Sequence, residues 1–161
     1  MGSLKQFLEE EAGKLQTYLS EAARKRDEWV GAVDRLTSRM KEWIGEADSG
    51  GVLVLQDRMF TLREEGIGAY EIHGLSIGLG PREIRLEPVA RNVAGPHSAT
   101  GVIHVSRAYG RVDMTDGLRK FVIFRLEREP EERWNIIEQD SYAMQLFNQQ
   151  SFEAAVQSLL E

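Results

Sequence analysis

Asp48-Ser49-Gly50-Gly51 divides this chain into two kinds of sequence. Before it, residues 4–47 contain no proline and few glycines, and their apolar residues recur at helical spacing. After it the period falls to two, in short runs cut by turn residues. The stretch itself is turn chemistry, an Asp and a Ser that hydrogen-bond locally followed by glycines that tolerate any backbone geometry.

The helical part carries a seam. It runs Leu8, Ala12, Leu15, Leu19, Ala22, Arg26, Trp29, Val33, Leu36, Met40, Trp43, in alternating steps of four and three. Such spacing keeps one face of a helix towards a single surface. Glu10, Lys14, Glu21, Lys25, Glu28 and Arg39 fall on the opposite, solvated face. Arg26 interrupts the seam within Arg24-Lys25-Arg26-Asp27-Glu28, where Asp27 could cap a second helix. An unbroken helix over residues 4–47 would be about 65 Å long at 1.5 Å per residue. A compact chain of this size is only on the order of 40 Å across. The helix therefore breaks or bends near Arg24–Asp27, or one end projects. With no Gly or Pro there, continuity with a bend is the expectation. A projecting end would expose Leu8, Leu15 and Leu19, which then become the candidate partner interface, most simply with a second copy of the chain.

Trp29 and Trp43 are too bulky for the tight layers of a two-stranded coil and suit a helix lying across a sheet. The strand part supplies that sheet. Its runs are 52–55, 59–63, 69–72, 75–79, 84–88, 102–106, 109–114, 119–127 and 134–137. Thr115-Asp116-Gly117 is the clearest hairpin signal, and Pro88 predicts that its strand is an edge or ends there. Ser151 is the expected cap of a last helix with Phe152, Val156, Leu159 and Leu160 on one face. The fold expected is α+β. A long N-terminal helix covers a mainly antiparallel meander of seven or eight strands, followed by a short C-terminal helix. The chain reads as one domain over residues 1–161, with a helical segment to residue 48, strands over 49–140 and a helical segment from 141.

Composition narrows function. The net charge is −6, with eight Lys or Arg against ten acids before residue 49 and twelve against sixteen after it. No basic arm hides in the total, which argues against nucleic acid and anionic membranes as partners. There is no cysteine, hence no disulfide, thiolate metal site or cysteine nucleophile. Together with the lack of a secretory leader or a long apolar run, this makes the cytoplasm the expected location. Met1-Gly2-Ser3 opens as an acylation signal does, but Gln6 stands where Ser or Thr is required.

Candidate ligand residues are few. His97 and His104 stand seven apart and His73 lies elsewhere, so no close pair offers a metal site. Tyr109, Arg111 and Asp113 share one face of a strand, where Arg and Asp can clamp an anion or simply form a surface ion pair. Arg91-Asn92 closes a strand beside Gly95-Pro96 and suits either ligand binding or an ordinary turn. Asp113 ahead of Arg119-Lys120 resembles metal-dependent nucleases, but the acid required two residues before the lysine is Leu118. No phosphate loop or nucleophile elbow occurs. The sequence thus predicts no catalytic residue, metal or cofactor. It predicts a soluble interaction or adaptor protein that pairs with itself or another protein. The alternative is a small-molecule-binding or enzymatic domain with Arg91, Asn92, His104, Arg111 and Asp113 around a pocket on the concave face of the sheet.

Overall fold

The computed structural model describes residues 2–96, 107–139, 141 and 143–161. Helix α1 spans Leu4–Ala47 without interruption. Ser3 caps it, accepting from the Gln6 amide while the Gln6 side chain accepts from the Ser3 amide. Because Arg24–Asp27 lies inside one continuous helix, Asp27 caps nothing and instead pairs with Arg26 at 3.0 Å.

Asp48 ends the helix. Its amide donates to the Ile44 carbonyl, and its carboxylate accepts from the Val52 and Leu53 amides at 2.9 and 2.8 Å. Those amide bonds hold its carboxyl below the usual range. The chain then enters seven strands. These are β1 (Val54–Glu64), β2 (Gly68–Leu79), β3 (Arg82–Ala90), β4 (Arg111–Thr115), β5 (Lys120–Glu127), β6 (Arg133–Glu138) and β7 (Met144–Leu146). They pair in sequence order, every pair antiparallel. Helix α2 (Gln149–Leu160) closes the chain. Its cap is Asn148, three residues before the expected Ser151, which serves as the other half of the capping box.

The paired runs 52–55 with 59–63, and 69–72 with 75–79, are each one long strand. The β1–β2 hairpin runs without a bulge from Glu64 opposite Gly68 to Val54 opposite Gly78. Yet the buried residues of β2 change parity, from Tyr70 and Ile72 to Leu75 and Ile77. Gly74 sits at the change. A Cβ there would lie 2.2 Å from the Leu86 carbonyl oxygen and 2.6 Å from the Phe60 ring. The hairpin thus buries one face near its tip and the other near its base, and only Leu75–Leu79 pair with β3. Pro88 lies inside an interior strand, not an edge. It costs no described pairing, because the β2 ladder stops at Leu86 and the β4 register shifts between Pro88 and Ala90.

One core joins the second half of α1, α2 and the inner sheet face. Trp29, Leu36, Met40, Trp134 and Phe152 are its largest sealed side chains on the helices and β6. Trp29 stacks on Trp134 with ring centroids 6.1 Å apart, and Gly110 leaves room for it: a Cβ at 110 would lie 2.1 Å from the indole. Trp43, Phe147 and Phe152 form an aromatic trio at 5.6–5.9 Å that ties α1 to α2. A smaller cluster of Ala108, Val122 and Phe124 occupies the outer face under Val93. Among the described residues no helix is long and apolar enough to cross a membrane.

Candidate functional site

Burial along α1 begins at Ala22. From Leu4 to Glu21 nothing is buried, and Leu4, Phe7, Leu8, Leu15, Tyr18 and Leu19 are each more than half exposed. These six fall on one stripe, spaced by three, four or seven residues. An arm of 18 residues, about 27 Å at 1.5 Å per residue, therefore projects beyond the sheet with its apolar side bare. The candidates Leu8, Leu15 and Leu19 lie on it together.

At the root of the arm is a second site, made of arginines. Glu28, the residue before Trp29, accepts from Arg125 at 2.7 and 3.0 Å and from Arg128 at 3.2 Å, with Arg91 at 3.8 Å. Arg125 reaches on to Glu132 at 2.7 Å, and Glu132 also takes Arg35 at 2.8 Å. The network fastens α1 to the β5–β6 turn. Burial works against ionisation of Glu28, but the bonds and charges of Arg125, Arg128 and Arg91 outweigh it and hold its carboxyl below the usual range. Glu132 is lowered in the same way, burial being outweighed by Arg35 and Arg125.

Arg91 is sealed from solvent, with Asn92 Oδ1 at 3.2 Å from its Nη1. Burial, then repulsion from Arg128, Arg107 and Arg125, lowers its proton affinity against the opposing pull of Glu28. The backbone amides of Arg91 and Asn92 donate to the Glu64 carboxylate at 3.0–3.1 Å. Tyr70 donates its hydroxyl to the same carboxylate. Burial, then Glu64, pushes that phenol far up. Asn92 thus belongs to a clamp that closes the β1–β2 hairpin tip onto the end of β3.

Arg111 and Asp113 form a different cluster. Arg111 grips Asp113 in a fork at 2.8 and 3.2 Å, and Lys120 adds a contact at 3.3 Å. Asp113 is buried, so this outer face is not the solvated one that alternation alone suggests. The register partner of Asp113, Val122, belongs to the small cluster with Ala108 and Phe124, against which Val93 packs. The backbones of Arg111 and Ala90 are register partners, yet Arg111 and Arg91 turn to separate acids. Tyr109, expected beside Arg111, precedes β4 and has instead the guanidiniums of Arg128 and Arg107 at 4.5 and 5.3 Å from its ring. His97 and His104, with the run 102–106, lie outside the described residues. Among the described residues no set of three His, Asp or Glu is placed to hold a metal ion.

Comparison with known proteins returned no matching family model, curated protein or solved structure. The chain's own geometry is therefore what speaks for its function. Arg125, Arg128, Glu28 and Glu132 were not singled out from sequence. Glu28 on α1 lies 97 to 104 residues from Arg125 on β5 and from Arg128 and Glu132 in the β5–β6 turn, so no local spacing joins them.

Proposed function

We propose that this is a non-enzymatic interaction protein that works as a homodimer through the arm of α1. The bare apolar stripe from Leu4 to Leu19 carries the reading, since exposed apolar surface of this continuity normally has a partner. The occupant is a second copy of the same arm, running antiparallel. Past Ala22 the seam is already covered by the protein's own sheet, so a parallel partner helix would have to enter that core. An antiparallel partner ends where the core begins. Stacking the seam in that sense sets Leu8 against Leu19 of the other copy and Leu15 against Ala12, an apolar overlap at each layer. Parallel pairing would also set the two Glu9-Glu10-Glu11 triplets side by side.

The absence of cysteine makes the test clean. Copies carrying Leu8→Cys, mixed with copies carrying Leu19→Cys, should form a mixed disulfide rapidly, whereas Leu8→Cys alone should not crosslink. The reverse pattern would mean parallel pairing. A wild-type monomer by sedimentation at micromolar concentration removes the proposal altogether. The concave-face cup has less support, because Trp29, Met40, Trp134 and Phe152 fill that face.

A further inference from the structure

We infer that the arginine cluster at the root of α1 is a binding site for a phosphate-type dianion. A groove of about 520 Å³ lies between α1 and the β5–β6 turn, lined by Arg24, Glu28, Tyr109, Arg125, Arg128 and Glu129 among others. That volume holds a small phosphomonoester.

The charge balance points to an anion. In a protein of net charge −6, Arg91, Arg125 and Arg128 converge on the single carboxylate of Glu28, with Arg107 close behind. Glu132 is shared between Arg125 and Arg35, and Glu127 on the rim is turned to Arg133 at 2.9 Å. Glu127 and Glu129 line the groove too, but with Glu127 taken by Arg133 the arginines Arg35, Arg91, Arg107, Arg125 and Arg128 still outnumber Glu28, Glu129 and Glu132. Arg91 and Arg125 are 5% and 3% exposed, and the Nε–H of each has no hydrogen-bond partner among the described residues. A buried guanidinium with an unused donor is costly; of the two, Arg125 lines the groove and Arg91 does not. A tetrahedral dianion offers several acceptors to guanidinium forks arriving from different directions, which a single carboxylate cannot. Tyr109, which lines the groove, gives the site an apolar wall for the organic part of an ester.

The experiment is a titration of the full-length protein with inorganic phosphate and with phenyl phosphate, at ionic strength held constant with sodium chloride. Calorimetry and the side-chain Nε–H resonances of Arg91 and Arg125 are followed. The site predicts saturable heat and saturable shifts of both resonances. Tighter binding of phenyl phosphate assigns a phosphate ester, and tighter binding of the inorganic ion assigns free phosphate. Arg128→Gln, whose side chain is 37% exposed and so removable without unfolding, should weaken binding at least tenfold. Arg58→Gln, paired with Glu83 elsewhere on the sheet, should leave it unchanged. Non-saturating responses, or equal weakening by both variants, would overturn the inference and leave the cluster as a purely structural brace.

Discussion

The two halves of α1 share one sequence pattern and have opposite fates. Leu15 and Leu36 occupy equivalent seam positions, but Leu15 is 58% exposed and Leu36 is 1% exposed. Periodicity says which face of a helix is apolar, and only the length of the surface beneath says how much of that face is covered. Here the sheet meets the seam from Ala22 onward and the rest is left over.

The contrast can be broken most strongly on the covered side. Trp29→Ala should cost about 3–5 kcal/mol, as large-to-small changes of sealed aromatics do, read from denaturant unfolding of a monomeric background. Leu8→Ala in the same background should stay within about 0.5 kcal/mol, because Leu8 is more than half exposed and no residue of the arm is buried. A large loss at Leu8 would mean that the arm folds back on the body. Gly74→Ala ranks next, at about 3 kcal/mol, since its Cβ would collide with the Leu86 backbone at the corner of the β1–β2 hairpin.

On the uncovered side, Leu15→Lys with Leu19→Lys should abolish dimerisation in sedimentation. The far-ultraviolet spectrum should still report a folded sheet, and the concentration dependence of Tm should vanish. If the wild type shows such dependence and the variant keeps it, pairing lies elsewhere on the surface.

The root of the arm, where the halves meet, is sensitive to acid. Glu28 and Glu132 have carboxyl groups lowered from 4.5 in the folded protein. A lowered folded value means that their contribution is complete above about pH 4.5 and is lost as pH falls through the folded values. Stability measured by denaturant from pH 7 downward should therefore decline below about 4.5. Glu28→Gln should flatten that decline and cost about 1–3 kcal/mol at pH 7, the range for removing hydrogen bonds to a charged group. Asp113→Asn is expected to cost about 1–2 kcal/mol in the same assay by weakening its hold on Arg111 and Lys120.

Much of the architecture was legible because local signals agreed. The Asp48–Gly51 stop, the Thr115-Asp116-Gly117 hairpin and the face of α2 each follow from side-chain chemistry within a few residues. Strand β7 was not legible. Three residues, Met144-Gln145-Leu146, show no period of their own and are strand only because β6 offers them a ladder. The candidate polar residues divided for a similar reason. Arg111 with Asp113 is a spacing of two on one strand, which sequence shows. Arg91 with Glu28, or Arg125 with Glu132 and Glu28 together, requires the turn, the strand end and the helix to be brought to one place.

The sequence by itself determined that residues 4–47 are helical and amphipathic, that an antiparallel meander follows, and that the apolar seam runs the length of that segment; that the helix is unbroken came from the structure. It could do so because helix and strand periods are set by backbone geometry that each segment carries with it. Only the tertiary structure decided where along the seam the covering ends, and that three arginines meet one glutamate at that point. Both depend on how far the sheet extends beneath the helix, a distance no local pattern encodes.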